Sequence, residues 1–171
     1  MICLPGKQNH KSKPVKQKDA GFTLIEVMAV LIILAVMAAI AIPKVASSSE
    51  AARKNADITT GHEVKSALDF YLVQTGRYPT NTEMTASGGV VSCTAFVPAY
   101  VAKLDTKTTQ QSIAEANRGF EVITLTSTGS IPATPSPSHL IVIYLNASGT
   151  AAEVRTLDAT DLTKVLWSSA D

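Results

Sequence analysis

The first part of the chain changes abruptly from a basic segment to a long apolar one. Five lysines precede Gly21, and no residue from Val27 to Ile42 is charged or strongly polar. The apolar run Leu24 to Ile42 covers 19 positions, close to the roughly 20 residues that a helix needs to cross a bilayer. Its single charge is Glu26. The pattern predicts a spanning helix that carries one carboxylate near its start.

Beyond the apolar run the pattern becomes amphipathic. Pro43 removes a backbone donor, which predicts a kink or a locally melted turn in the helix. Further along, five apolar residues recur at helical spacing and form one stripe: Val64, Ala67, Leu68, Tyr71 and Leu72. This stripe predicts that the helix continues outside the membrane with one face packed on a core.

The polar residues of this helix and its end follow from the same spacing. Charged residues lie mostly off the apolar stripe, among them Lys54, Asp57, Glu63, Lys65 and Asp69. Gly61 is expected to be a tolerated weak point within the helix. Gly76, followed by Pro79, predicts that the helix ends near Thr75.

Strand patterns are confined to the last third of the chain. FEVITLT (120–126) and TAAEVRTL (150–157) alternate, and LIVIYL (140–145) is a fuller apolar run. Residues 161–167 fit a strand or a short helix. Residues 80–119 are polar and broken, with a short helix expected at 97–104. This order predicts an α+β fold, in which the second half of a long N-terminal helix packs on a small antiparallel sheet.

Charge and cysteine content exclude several classes of function. Residues 22–171 hold 10 basic and 13 acidic residues, which argues against a strongly basic, nucleic-acid-binding head. The two cysteines are Cys3 and Cys93. If the basic segment is removed, Cys93 is left without a partner for a disulfide. It is then better explained as a buried apolar residue than as a nucleophile or metal ligand.

The sequence shows no arrangement typical of an enzyme. His62 and His139 are far apart and lack metal-ligand spacing, and the chain has no glycine-rich phosphate loop, nucleophile elbow or C-x-x-C pair. We therefore expect a protein that is not an enzyme and has no cofactor.

Three processing hypotheses fit a basic flank followed by an apolar run: a cleaved secretory signal, a permanent single-pass anchor, and a pilin-type signal cut before the run. Ala39-Ile40-Ala41 is a small-residue site that favours the first, but the run exceeds the roughly 7–15 residues of a secretory h-region. A plain anchor does not explain Glu26, because a carboxylate at mid-bilayer costs roughly 2.5–3.5 kcal/mol.

The segment GFTLIEV, residues 21–27, resembles the N-terminal signature of type IV pilins and of the pseudopilins of type II secretion and DNA-uptake systems. The resemblance implies that a prepilin peptidase cuts on the cytoplasmic side after Gly21 and methylates the new terminal amine of Phe22. It also implies a single-pass protein of the inner or cytoplasmic membrane. Its head would lie outside the cytoplasm, and assembly would give an extracellular or periplasmic filament.

The resemblance divides the chain into three parts. They are a cleaved leader (1–21), an apolar transmembrane or filament-core helix (22–45), and an exported head (46–171). The head comprises an amphipathic helix (46–75), a connector (76–119) and an antiparallel sheet (120–171).

In this interpretation two residues of the helix serve assembly. Glu26 neutralises the terminal amine of a neighbouring subunit, offsets the burial of both charges and sets the axial register. Pro43 stands where pilins commonly carry a proline. The implied partners are identical and related subunits, the prepilin peptidase, an inner-membrane assembly platform and, before assembly, the membrane. Nucleic acid is a partner only of the whole filament.

The function we predict from the sequence is a structural subunit of a type IV pilus-like filament for adhesion, motility or DNA uptake. The alternative is a pseudopilin of a type II secretion or competence system. A lower alternative is a single-pass anchored or secreted binding domain. Pseudopilins often hold calcium in a C-terminal loop, but Asp158 and Asp161 alone make a poor site, so we expect a solvated turn there.

Overall fold

The computed structural model describes residues 21–126, 128–133 and 135–170. The predicted leader, including Cys3 and its lysines, lies outside these residues except for Gly21. The chain divides into two units, Met1–Ile42 and Pro43–Asp171.

The described part of the first unit is almost entirely helical. Helix α1 begins at Leu24 and ends at Thr75, and it contains Pro43. The residues around Pro43 are therefore helical, and no locally melted turn forms there. From Gly21 to Ile42 every side chain is exposed, as expected for a segment whose apolar environment is not its own chain.

In the second unit, α1 buries one stripe, formed by Asp57, Gly61, Val64, Leu68 and Tyr71. The predicted stripe is confirmed at Val64, Leu68 and Tyr71, while Ala67 and Leu72 are half-buried. The prediction that Asp57 lies off the stripe is wrong, because its side chain is buried with the stripe. Spacing alone places it on the stripe, two turns before Val64, and its carboxylate is buried because loop amides bind it.

The connector after α1 is more ordered than its composition suggests. A hairpin of β1 (Thr85–Ser87) and β2 (Val90–Ser92) is followed by a 3₁₀ turn, Glu115–Asn117. The short helix predicted at 97–104 does not form. Instead Phe96 N–H donates to Cys93 O, and Tyr100 N–H donates to Phe96 O. These are separate turns, since Pro98 lacks the donor that a helix would use.

The main sheet contains four strands in chain order: β3 (Phe120–Thr124), β4 (Ile141–Leu145), β5 (Ala152–Asp158) and β6 (Asp161–Ser168). Residues 161–167, for which the sequence allowed a strand or a short helix, thus form a strand. β4–β5 and β5–β6 are antiparallel, but β3 and β4 are parallel, so the sheet is mixed and the predicted antiparallel meander is wrong at this pair. A parallel pair requires a crossover of a dozen or more residues, which the proline-rich residues 125–140 provide. The α+β prediction is confirmed.

The core lies on both faces of this sheet. Every side chain of β4 is buried, and its alternate residues join two apolar clusters. Ile141, Ile143 and Leu145 pack with Val64 and Leu68 of α1. Val142 and Tyr144 pack on the opposite face with Leu125 and Leu157. Cys93 is buried in the first cluster with a free thiol, as predicted, and burial raises the pKa of this thiol.

At Gly61, helix α1 lies close against the sheet. A Cβ atom placed there lies 2.5 Å from Thr156 Oγ1 and 3.1 Å from the ring of Trp167. The interpretation of Gly61 as merely a tolerated weak point is therefore wrong, because only glycine fits without displacing its neighbours.

Candidate assembly site at the start of helix α1

Gly21 and Phe22 precede α1 and are fully accessible. The Phe22 side chain is 90% exposed, and a Cβ atom at Gly21 would contact nothing within 4 Å. Among the described residues, packing therefore places no demand on a glycine at this position.

The first turn of α1 is closed by a capping box between Thr23 and Glu26. The backbone N–H of Thr23 donates to Glu26 Oε2 at 2.8 Å, and the Thr23 hydroxyl donates to the same oxygen at 2.9 Å. In return, Glu26 N–H donates to Thr23 Oγ1 at 3.3 Å. These bonds satisfy backbone donors that a helix start otherwise leaves open.

This arrangement gives Glu26 a partner within its own chain. From the sequence we expected the carboxylate to lack a partner in its own chain, and Thr23 was not recognised as one. The signal was present, because T-x-x-E before an apolar run is the sequence signature of a capping box. Both bonds use Oε2, which leaves Oε1 without a hydrogen bond to any described residue. A negative charge here also lies at the favourable, positive end of the helix dipole.

The apolar surface of α1 follows directly after this first turn. The helix contains a segment long and apolar enough to cross a membrane by length and composition, and none of that segment is buried. Gly21, Phe22 and Glu26 thus lie together at the start of this surface. Pro43, the fourth predicted site residue, is exposed and begins the second unit.

The acidic pair near the C-terminus has a structure of its own. Asp158 and Asp161 face each other across the β5–β6 turn. Lys54 Nζ lies 2.8 Å from Asp158 Oδ2, while Asp158 Oδ1 accepts bonds from the N–H and hydroxyl of Thr160. These contacts, led by Lys54, hold the pKa of Asp158 well below its usual range.

The expectation of a solvated turn is wrong for Asp158, whose side chain is only 2% exposed, because Lys54 and Thr160 replace water around it. Asp161 is exposed and accepts bonds from Thr163. Within residues 21–126, 128–133 and 135–170, no group of three His, Cys, Asp or Glu residues is placed to hold a metal.

A third polar cluster joins α1 to the connector. The buried Asp57 carboxylate accepts the backbone N–H of Gln110 at 2.6 Å and that of Gln111 at 3.1 Å. The Gln111 side chain donates to Leu157 O and accepts from Ala159 N–H. Asp57 and Gln111 together fasten the helix, the connector and the β5–β6 turn to one another.

Comparison with known proteins supports the interpretation of the N-terminal site. The prokaryotic N-terminal methylation motif matches residues 16–42. The type II secretion system core protein G of Aeromonas hydrophila is 34% identical over 68 residues, covering 40% of this chain and 48% of that protein. A fimbrial protein of Neisseria meningitidis is 34% identical over 87 residues, covering 51% of this chain and 49% of the relative.

The methylation motif and these relatives support the type IV pilin and pseudopilin family for this chain. It spans about half the length of the curated relatives it matches. No solved structure matches it. As in the family, a long N-terminal helix precedes a small sheet, and the methylation motif contains the capped turn at Thr23 and Glu26. The apolar start of α1 agrees with membrane anchoring by its length and composition.

Proposed function

We propose that this pilin-like chain is the structural subunit of a type IV pilus-like filament and polymerises through the first half of α1. The filament serves adhesion, motility or DNA uptake. The observation that carries the proposal is the uncharged, exposed helix surface from Val27 to Ile42 behind an accessible Gly21 and a capped Glu26.

An exposed apolar helix of this length must be removed from water. Burying apolar surface is favourable by roughly 25 cal/mol per Å², so the segment enters the bilayer first. In the filament, neighbouring copies of the same helix replace the lipid. Membrane and filament core are then two successive apolar environments for one surface.

Cleavage after Gly21 creates a charged amine on Phe22, one residue before the capping Thr23. The capping box fixes the Glu26 carboxylate at the start of the helix while leaving Oε1 available. The amine of an incoming subunit pairs with this carboxylate, since either charge buried alone is costly. Any other axial offset leaves both charges unpaired, so the pairing sets the register.

The remaining assignments belong to the same proposal. The prepilin peptidase cuts after Gly21 and methylates Phe22, and an inner-membrane platform drives assembly, with the head outside the cytoplasm. The subunit performs no chemistry and holds no cofactor. Its neighbours are identical and related pilins.

A second candidate is a pseudopilin of a type II secretion or competence system. The observation that favours it is the similarity to relatives named type II secretion system core protein G in several organisms. Such a subunit uses the same N-terminal machinery to build a short pseudopilus, so the site at Glu26 supports both candidates equally.

The test is to delete the gene in its own host and to restore it with the parent or with Glu26→Leu as the sole copy. We expect surface filaments to vanish on deletion, to return with the parent and to stay absent with the variant. Unchanged filaments in all strains would contradict the proposal. Loss of protein secretion without loss of surface filaments or motility favours the second candidate.

A further inference from the structure

The face of the sheet opposite α1 carries a groove of about 380 Å³. One wall is formed by Pro135 and Pro137 of the crossover between β3 and β4. The floor and the other wall come from the strands: Tyr144, Arg155, Leu157, Leu162 and Val165. This volume lies within the range of about 300–1,000 Å³ typical of small-molecule sites.

The lining is mostly apolar, with few polar groups. Two proline rings, Leu162 and the exposed Val165 offer rigid or branched apolar contacts. Tyr144 is almost wholly buried, with its residue 1% exposed. Burial raises the pKa of Tyr144, so its hydroxyl stays protonated. This hydroxyl donates no hydrogen bond within the described part of the chain and can donate to a ligand.

Arg155 is the one cation that lines this groove among the described residues. Its Nε donates to Glu153 Oε1 at 2.7 Å, and its guanidinium lies 5.8 Å from the centre of the Tyr144 ring. The Glu153 oxygen also accepts the hydroxyl of Ser168, so Glu153 is fixed on the Nε side.

The two Nη groups of Arg155 make no hydrogen bond to the residues that the structure describes. They form an edge that matches the two oxygens of a carboxylate. The Arg155 side chain is only 28% exposed, so an anion at this edge is held in a partly dehydrated site, where charge-assisted bonds are stronger than in water.

We propose that this groove binds a small carboxylic acid with an apolar body. The carboxylate is held by the Nη edge of Arg155 and the Tyr144 hydroxyl, and the body lies between Pro135, Leu162 and Val165. The site is independent of filament assembly and does not use Glu26 or the apolar part of α1.

The experiment uses the full processed protein in detergent micelles and two matched probes. 3-Phenylpropionate carries the carboxylate, and 3-phenylpropionamide has the same body without the charge. Saturation-transfer NMR gives the affinities for both probes, after the signal measured with empty micelles has been subtracted. We expect saturable binding of the acid, at least about tenfold tighter than that of the amide, as for a hydrogen bond to a charged group.

Three variants assign the binding to the groove. Arg155→Gln is expected to reduce binding of the acid to the level of the amide. Val165→Glu adds a competing carboxylate at an exposed position, leaves Arg155 in place and is expected to abolish binding of the acid. The control Arg53→Gln removes an exposed arginine on α1 and is expected to change nothing.

Equal affinity for acid and amide overturns the proposal, as does undiminished binding of the acid by Val165→Glu. Absence of saturable binding by the parent overturns it as well. Folding of Arg155→Gln is judged by the fluorescence of the single tryptophan, Trp167. If this variant does not fold, the proposal is still tested by the comparison of acid with amide and by the Val165→Glu variant.

Discussion

Thr23 and Glu26 bind each other reciprocally at the start of helix α1. The backbone N–H and hydroxyl of Thr23 reach one oxygen of the Glu26 carboxylate, at 2.8 and 2.9 Å. Glu26 therefore has two separable properties. Its side-chain oxygen caps the helix within one subunit, and in the proposed filament its charge pairs with a second subunit.

Variants of this pair separate the two properties. Glu26→Gln keeps a capping side chain, since glutamine also serves in a capping box, but removes the charge. Thr23→Val removes the hydroxyl and keeps the charge, at a cost to the cap of about 1 kcal/mol. We expect Glu26→Gln to lose filaments and Thr23→Val to retain them, as counted by electron microscopy with the variant as the sole subunit.

Membrane insertion and cleavage serve as controls for this pair. Removing a charge from the apolar segment should leave insertion no worse, and Gly21 is unchanged, so mature protein should accumulate. The opposite pattern, with filaments from Glu26→Gln but none from Thr23→Val, would assign the role of Glu26 to capping alone.

Processing gives a second prediction. The mature protein should begin at Phe22 with a methylated amine, as shown by N-terminal sequencing and intact mass. Gly21→Val should leave the precursor uncut, because a β-branched side chain obstructs close approach to the backbone. Since a Cβ atom at Gly21 would meet no described residue within 4 Å, the head of this variant should melt at the same temperature as the parent. A mature terminus at Ile42 or Ser47 would establish the secretory hypothesis instead.

The sequence predicted those parts of the fold that depend on local periodicity. The helix end at Thr75, the stripe through Val64 and Leu68, and the strand at Ile141–Leu145 follow from spacing and apolar runs. The position of Glu26 in the candidate site was predictable for the same reason, since it interrupts an otherwise uncharged run.

The errors concern contacts between distant segments. Asp57 is buried because the amides of Gln110 and Gln111 bind it, and periodicity carries no information about a loop more than 50 residues away. The parallel pairing of β3 with β4 depends on the path of the crossover, which strand alternation does not specify. The Thr23 cap is different, because its spacing was visible in the sequence.

Gly61 gives a third prediction. Gly61→Ala should raise helix propensity by about 1 kcal/mol, yet the new methyl group lies 2.5 Å from Thr156 Oγ1. Overpacking of this kind costs about 1–3 kcal/mol, so we expect net destabilisation. The lower melting temperature is measured by the fluorescence of Trp167. Thr156→Ala in the same chain should recover part of the loss, whereas Ser66→Ala, at an exposed helix position, should not destabilise. A Gly61→Ala protein as stable as the parent would show that α1 can move away from the sheet.

The pairing of Lys54 with Asp158 makes stability of the head depend on pH. Because the pKa of Asp158 is lower in the folded state than its usual 3.8, the folded protein binds fewer protons than the unfolded one near that pH. The stabilisation is complete above about pH 4–5 and is lost as the pH falls toward the folded pKa. At pH 7 we expect Asp158→Asn to be less stable than the parent by about 1–3 kcal/mol, as for a hydrogen bond to a charged group.

Other carboxylates also respond to acid. The quantity to measure is therefore the difference in free energy of unfolding between the parent and each variant. Arg77 lowers the pKa of Glu83 to about 2, and the parent therefore loses stability on acidification for more than one reason. Urea unfolding should be measured at pH 7, 5, 4 and 3. The difference in free energy of unfolding between the parent and Asp158→Asn should become smaller below about pH 4. The exposed Glu50→Gln should show no such difference at any pH. A difference that stays constant to pH 3 would mean that Asp158 acts through packing, since a stabilising charge must lose free energy as the unfolded chain takes up the proton.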